Sequence, residues 1–266
     1  MKSRYLLIFC ILLAACAKDN KDEISGGNTG IGGGEQPIVL PSLPGDHAGH
    51  PSQGTKEQAR GFYSNGKILH DSHLAWSGTG FTKILRPRNR RYGSKDLLYV
   101  ITESAKSLKR LRPSRDRIQV GDMSKKGGGT ADGHASHQNG LDADIAFLRL
   151  NQTEQDPNST DGYSESFVKD GRVTANFDVS RNWELAKLFV NSGRVQRVFV
   201  NDVIKQEFCR YARLTGETES AREVLFRLRS YEGHMDHFHI RLTCPLKSPN
   251  CSPQEEPPEA NDGCVS

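Results

Sequence analysis

Two short stretches concentrate the groups able to hold a metal or move a proton. Residues 133–147 read GHASHQNGLDADIAF and carry His134, His137, Asp142 and Asp144, with His137, Gly140 and Asp144 spaced as H-x-x-G-x-x-x-D. Residues 231–245 read YEGHMDHFHIRLTCP and add His234, His237 and His239, so five of the chain's nine histidines fall in these two places. Two neutral imidazoles and one carboxylate make a good zinc set, because zinc takes nitrogen and oxygen ligands and a catalytic site keeps one position open. The order of the residues, with a distant H-x-H pair, is not the helix-borne H-E-x-x-H arrangement. The plain competing account is two solvated strand faces with histidine there by chance; the clustering argues against it.

The elements that must position these groups are legible as alternation. Leu141, Ala143, Ile145 and Phe147 alternate with Asp142 and Asp144. This is the period of a strand with one buried face and both carboxylates on the other. Phe238, Ile240 and Leu242 alternate in the same way with His237, His239 and Arg241. Two such strands side by side present imidazoles and a carboxylate to a common cleft.

GHASHQNGLDADI followed by HMDHFHIRLTCP resembles the penicillin-insensitive murein endopeptidases, part of a wider group of zinc peptidases that includes lysostaphin-type enzymes, D-Ala-D-Ala carboxypeptidases and the hedgehog fold. The resemblance covers residues 62–264. It implies Zn2+ held by His137, Asp144 and His239, with His134 next to the metal, His237 as the catalytic histidine and His234 as a second active-site histidine that stabilises developing charge. It implies hydrolysis of peptide cross-links in peptidoglycan, typically between D-Ala and meso-diaminopimelate. No serine nucleophile is needed, so insensitivity to β-lactams is expected. A D-Ala carboxypeptidase of the wall is one alternative, and a non-catalytic zinc domain that binds the wall is another; the presence of both His234 and His237 speaks against the second. A histidine-rich metal buffer is a third, and it would bind several zinc ions rather than one. Asp142 is either a partner that orients a ligand histidine or structural. Lys67 stands where some members carry a cysteine, so a third disulfide is not expected; Asp170 lacks the companion histidine of an accessory metal position, which leaves a second metal open.

The chain has 266 residues, of which 35% are hydrophobic, and a formal net charge of +4. That suits one modest domain with polar tails. The charge allows, without demanding, contact with an anionic polymer such as the cell wall and gives no basis for a nucleic-acid partner; the oligomeric state is left open. Residues 1–16 read as a lipoprotein signal: Lys2 and Arg4, a short apolar run over 6–13, then Leu13-Ala14-Ala15-Cys16. This resembles a bacterial lipobox, with an ordinary secretory signal as the alternative. Lipidation of Cys16 implies a membrane anchor and a periplasmic, outer-membrane location. Residues 17–45 form a flexible Gly-rich tether, and 46–266 the zinc peptidase domain. His47 and His50 read as solvated loop residues.

A helix is predicted over 95–112, with Ser94 as cap and Pro113 as stop, and a strand over 117–120. Residues 125–132 with Gly127–Gly129 read as a mobile cleft wall rather than a phosphate loop. The basic run Arg86, Arg88, Arg90 and Arg91 reads as solvated surface, with an acidic glycan or carboxylate as the less favoured partner. Residues 149–173 are a polar surface insertion. Helices are predicted over 183–191, from Asp202 to about 212, and over 217–229, with a strand over 195–200. Helices and short strands without regular β-α-β alternation indicate an α+β domain. The resemblance sharpens this to a small antiparallel sheet flanked by helices, with zinc at the sheet surface. Four cysteines remain after Cys16, allowing three pairings. Cys244 and Cys251 flank a short loop with two prolines, which favours a local bridge; Cys209–Cys264 would then pin the extended acidic tail. The resemblance implies the same pairing.

Overall fold

The computed structural model describes residues 56–258 and 262–264. The signal, Cys16, the tether, His47 and His50 lie outside the described residues.

Strands β1 (Gln58–Phe62) and β2 (Asn65–Leu69) form a hairpin. Then come β3 (Ser72–His73), β4 (Ser77–Gly78), β5 (Phe81–Lys83) and β6 (Tyr92–Gly93). Helix α1 (Lys95–Leu111) starts where the Ser94 hydroxyl accepts from Leu97 N, and it buries Leu97, Val100, Ile101, Ala105 and Leu108. Strands β7 (Ile118–Val120) and β8 (Asp142–Ala146) follow, then a small hairpin of β9 (Val168–Lys169) and β10 (Arg172–Val173). Helix α2 (Val179–Asn191) begins four residues earlier than predicted, because the Asp178 carboxylate caps Arg181 N. Strand β11 (Val195–Val200) leads into α3 (Asp202–Leu214), whose cap is Asn201 rather than Asp202.

The helix predicted over 217–229 is only α4 (Arg222–Arg227), and β12 (Leu228–Ser230) follows it. Helix α4 has no side-chain cap, and Leu228, Arg229 and Ser230 pair instead with the open edge of β11. Strand β13 (His237–Leu242) carries the H-x-H pair.

The main sheet is larger than predicted and mixed. Seven strands run in the order β12-β11-β13-β8-β7-β5-β4. The centre is antiparallel, but β11–β12 and β5–β7 are parallel. Parallel neighbours need a crossover; α1 supplies it between β5 and β7, and α3 with α4 between β11 and β12. The fold is α+β, with a wider sheet than the small antiparallel one expected. Helix α2 packs on α1, α3, α4 and β11, and the core behind the sheet holds Leu141, Ala143, Ile145, Phe147, Trp183, Phe208 and Phe238.

Three stretches make contacts not expected from the sequence. The glycine loop is hydrogen-bonded to its neighbours: Gly129 N donates to Gln138 O at 2.8 Å and Ile68 N to Gly127 O at 3.2 Å. A Cβ on Gly128 would meet Gln138 O at 2.0 Å, on a backbone with φ +72. The insertion over 149–173 is not all surface, since Phe167 is in the core. The arginine run is tied to the protein: Arg88 pairs with Asp122 at 2.9 Å, and Arg91 lies 4.2 Å over the Trp76 ring. Both predicted disulfides are present, Cys209–Cys264 and Cys244–Cys251.

Candidate metal centre

The register of β8 against β13 builds the site. His239 lies opposite Asp144, and Arg241 opposite Asp142. Leu141, Ala143 and Ile145 turn into the core, as the alternation predicts, but the second face is covered too. Asp142 is 0% and Asp144 1% exposed. The covering groups are the other site residues.

His137 precedes β8 on a left-handed corner, φ 64, and its backbone N donates to Asp142 Oδ2 at 3.1 Å. Its Nε2 is 3.2 Å from Asp144 Oδ1. His239 Nδ1 and His237 Nε2 each lie 3.6 Å from the same oxygen. His134 Nδ1 is 3.8 Å from Asp144 Oδ2. His234 sits on a second left-handed corner, φ 51, with its ring 4.9 Å from that of His237 and 5.7 Å from that of His239. His134, His137, Asp144, His234, His237 and His239 thus lie in one cluster.

Among the described residues, the His/Cys/Asp/Glu group able to close on an ion is His134, His137 and Asp144, with donors within 4.8 Å of one another. His239 is not part of that group, but its Nδ1 lies 3.6 Å from the Asp144 Oδ1 that belongs to it. Both ring nitrogens of His137 and the Oδ1 of Asp144 are buried without a hydrogen-bond partner. Buried polar atoms left so cost about 1–3 kcal/mol each. Imidazole nitrogens and a carboxylate oxygen aimed at one point fit a divalent cation such as zinc.

Burial favours the neutral form of Asp144, yet the surrounding His137 and His237 hold its carboxyl well below the usual range. Burial likewise opposes the Asp142 charge, and Arg241 outweighs it. Burial pushes His239 down to about 4, which leaves its imidazole neutral. For His137 and His237 burial is overcome by Asp144, which raises both.

Three further residues had no separate signal in the sequence. Asp122 Oδ2 is 3.0 Å from His134 Nε2, and its carbonyl accepts from Asp144 N at 2.9 Å. Asp236 lies within the second motif and holds His237 Nδ1 through Oδ1. Tyr163 stacks on the His237 ring. The cleft above the cluster holds about 560 Å³ and is walled by 133–136 on one side and Tyr231 to His234 on the other, with Ser64, Arg241 and Gln254 also lining it.

The pattern described as penicillin-insensitive murein endopeptidase matches residues 59–266. The chain belongs to that family. A penicillin-insensitive murein endopeptidase of Haemophilus influenzae is 36% identical over 218 residues, covering 80% of this chain and 73% of its own. That of Klebsiella pneumoniae strain 342 is 34% identical over 220 residues, 79% and 75% of the two chains. That of Escherichia coli O157:H7 is 33% identical over 236 residues, 85% and 80%. The matched region of this family member contains both histidine motifs and all four disulfide cysteines. Asp170 lies at the exposed tip of the β9–β10 hairpin, beside Lys169 and Arg172, and joins no metal-sized donor group among the described residues.

Proposed function

We propose that the protein is a zinc-dependent endopeptidase of the bacterial cell wall that hydrolyses D-Ala–meso-diaminopimelate cross-links. The observation that carries the reading is the set of buried, unpartnered donors around Asp144 at the floor of an open cleft, with His237 Nε2 directed at the same point. Zinc in that set would supply Lewis-acid polarisation of a carbonyl group and of water.

The chain's own residues divide the remaining work. His137, Asp144 and His239 hold the ion, with His134 beside them. Asp142, behind His239, fixes that ring so that Nδ1 faces the centre. Asp236 accepts a hydrogen bond from the Nδ1–H of His237, which leaves Nε2 unprotonated as the base that receives a proton from water and returns it to the leaving amine. His234 places Nδ1 3.1 Å from the Glu232 carbonyl. Burial lowers its pKa, so as the neutral imidazole it offers Nε2 as an acceptor that orients water. Only as the imidazolium does it stabilise the developing negative charge. Because water attacks rather than a serine, a β-lactam finds no nucleophile to acylate.

The anchor belongs to the same reading: lipidated Cys16 would fasten the enzyme to the outer membrane, facing the periplasm. Digesting sacculi with the purified mature chain and identifying the fragments by mass tests the activity. Release of monomers from cross-linked dimers supports an endopeptidase; loss of terminal D-Ala alone would make it a carboxypeptidase.

A further inference from the structure

We propose that Tyr163 is a positioning residue for His237, acting through its ring face and not through its hydroxyl. This rests on the proposed role of His237 as the proton carrier.

The edges of the His237 ring are held by Asp236 at Nδ1 and face Asp144 at Nε2. Neither contact fixes the tilt of the ring plane. Tyr163 does so: the two rings stack with centroids 4.6 Å apart and planes 15° from parallel. Stacked aromatic faces of this kind attract one another beyond the area they bury. His234, on a different side, is tilted by 44° and leaves the stacked face to Tyr163.

The segment that delivers Tyr163 has no regular secondary structure, yet side chains hold it around that residue. Arg149 Nη2 donates to Ser164 Oγ at 2.8 Å, and Gln155 Nε2 to Gly162 O at 3.0 Å. Arg88 Nη2 donates to Thr160 O at 3.0 Å. The Tyr163 ring packs on Ile84, Leu85 and Ala146, so it bridges the sheet and the catalytic histidine.

The hydroxyl shows that stacking is what the site uses. It is buried without a hydrogen-bond partner, and it lies against Gly121, where a Cβ would come within 2.1 Å of it. The glycine at 121 leaves the room that this oxygen occupies. Gly121 N in turn donates to Asp144 O at 2.8 Å, so the recess that seats Tyr163 is part of the backbone that carries the metal-binding carboxylate.

The experiment uses four variants of the zinc-loaded mature chain: Tyr163→Ala, Tyr163→Phe, Gly121→Ala and the double Gly121→Ala/Tyr163→Phe. Steady-state cleavage of a cross-linked muropeptide dimer and zinc content are measured for each. Tyr163→Ala should lower kcat by about 10- to 100-fold, below the roughly 100- to 10,000-fold of a full proton-transfer residue, with KM and zinc unchanged. Tyr163→Phe should keep wild-type kcat. Gly121→Ala should lower kcat, and adding Tyr163→Phe should restore much of it by removing the oxygen that the new methyl meets. In NMR spectra, the upfield ring-current shift of the His237 ring protons should persist in Tyr163→Phe and vanish in Tyr163→Ala. Wild-type kcat in a folded Tyr163→Ala overturns the proposal. So does a Gly121→Ala defect that Tyr163→Phe does not relieve, which decides the matter if Tyr163→Ala fails to fold. Loss of cleavage by the wild type itself would sink the endopeptidase reading instead, and the NMR shift would still report on the stack.

Discussion

Asp142 is shared between Arg241 and His239. Arg241 grips it with Nε at 2.7 Å from Oδ1 and Nη2 at 3.2 Å from Oδ2, while His239 Nε2 lies 3.1 Å from Oδ1. The same Oδ2 accepts from His137 N. One buried carboxylate thus orients two of the three proposed ligands. Asp142→Asn keeps the shape, removes the counter-charge of Arg241 and presents an amide to His239. Zinc affinity should fall about 10- to 100-fold, as for other residues that orient ligands. The metal-free fold should lose on the order of 3–5 kcal/mol, as when one partner of a buried pair is removed. Chelator competition and denaturant unfolding read the two effects separately; an unchanged zinc affinity would make Asp142 purely structural.

His237 and His239 are two apart on one strand face, and equal substitutions should part them. His239→Ala should lose zinc and activity together. His237→Ala should keep zinc and lose activity by about 100- to 10,000-fold. Elemental analysis beside muropeptide cleavage checks this, and equal zinc loss in both variants would mean that ligand and base are exchanged.

The tail enters the cleft under covalent control. Arg241 Nη1 donates to Gln254 Oε1 at 2.8 Å, and Gln254 lines the cleft between Cys251 and Cys264. The Cys209–Cys264 bridge spans 55 residues, which the chain-entropy model values at about 4 kcal/mol. Cys264→Ser should lower stability by that order and raise KM more than it lowers kcat. Urea unfolding and kinetics with and without reductant test this; coincident unfolding curves would show that the bridge adds no stability.

Lys205 gives the fold a rising stability in mild base. It is fully buried, with Nζ donating to Leu225 O at 2.5 Å. Burial pushes its pKa from 10.5 down to about 8. Lys83, equally buried, is also pushed to about 8. Between these values the unfolded chain binds the more protons, so stability increases with pH. The gain is on the order of 3 kcal/mol per lysine, complete near the unfolded pKa and absent below pH 8. Lys205→Met should flatten the slope of unfolding free energy between pH 8 and 10 by about half.

The sequence carried the site better than the sheet. Alternation in 141–147 and 237–243 placed Asp144 and His239 on facing strands, because a period of two follows directly from strand geometry. Strand order has no such local trace. The parallel pairing of Leu228 to Ser230 with β11 depends on an edge built by residues some thirty positions away, and a helical pattern over 217–229 looked locally sound. Asp122 and Tyr163 were missed for the same reason: each sits in an irregular segment and reaches the histidines only through the tertiary fold. Ser94 as a cap and Cys244–Cys251 as a local bridge needed only neighbours in the chain, and both were legible.

His137 and His234 both turn the chain through left-handed corners, φ 64 and 51. Side chains other than glycine pay about 1–2 kcal/mol for that conformation, although histidine tolerates it better than most. A population of variants screened for heat resistance alone should therefore drift toward glycine or asparagine at these two corners, gaining stability while losing a proposed metal-holding side chain and a proposed active-site histidine. Durability and chemistry pull in opposite directions at these two residues.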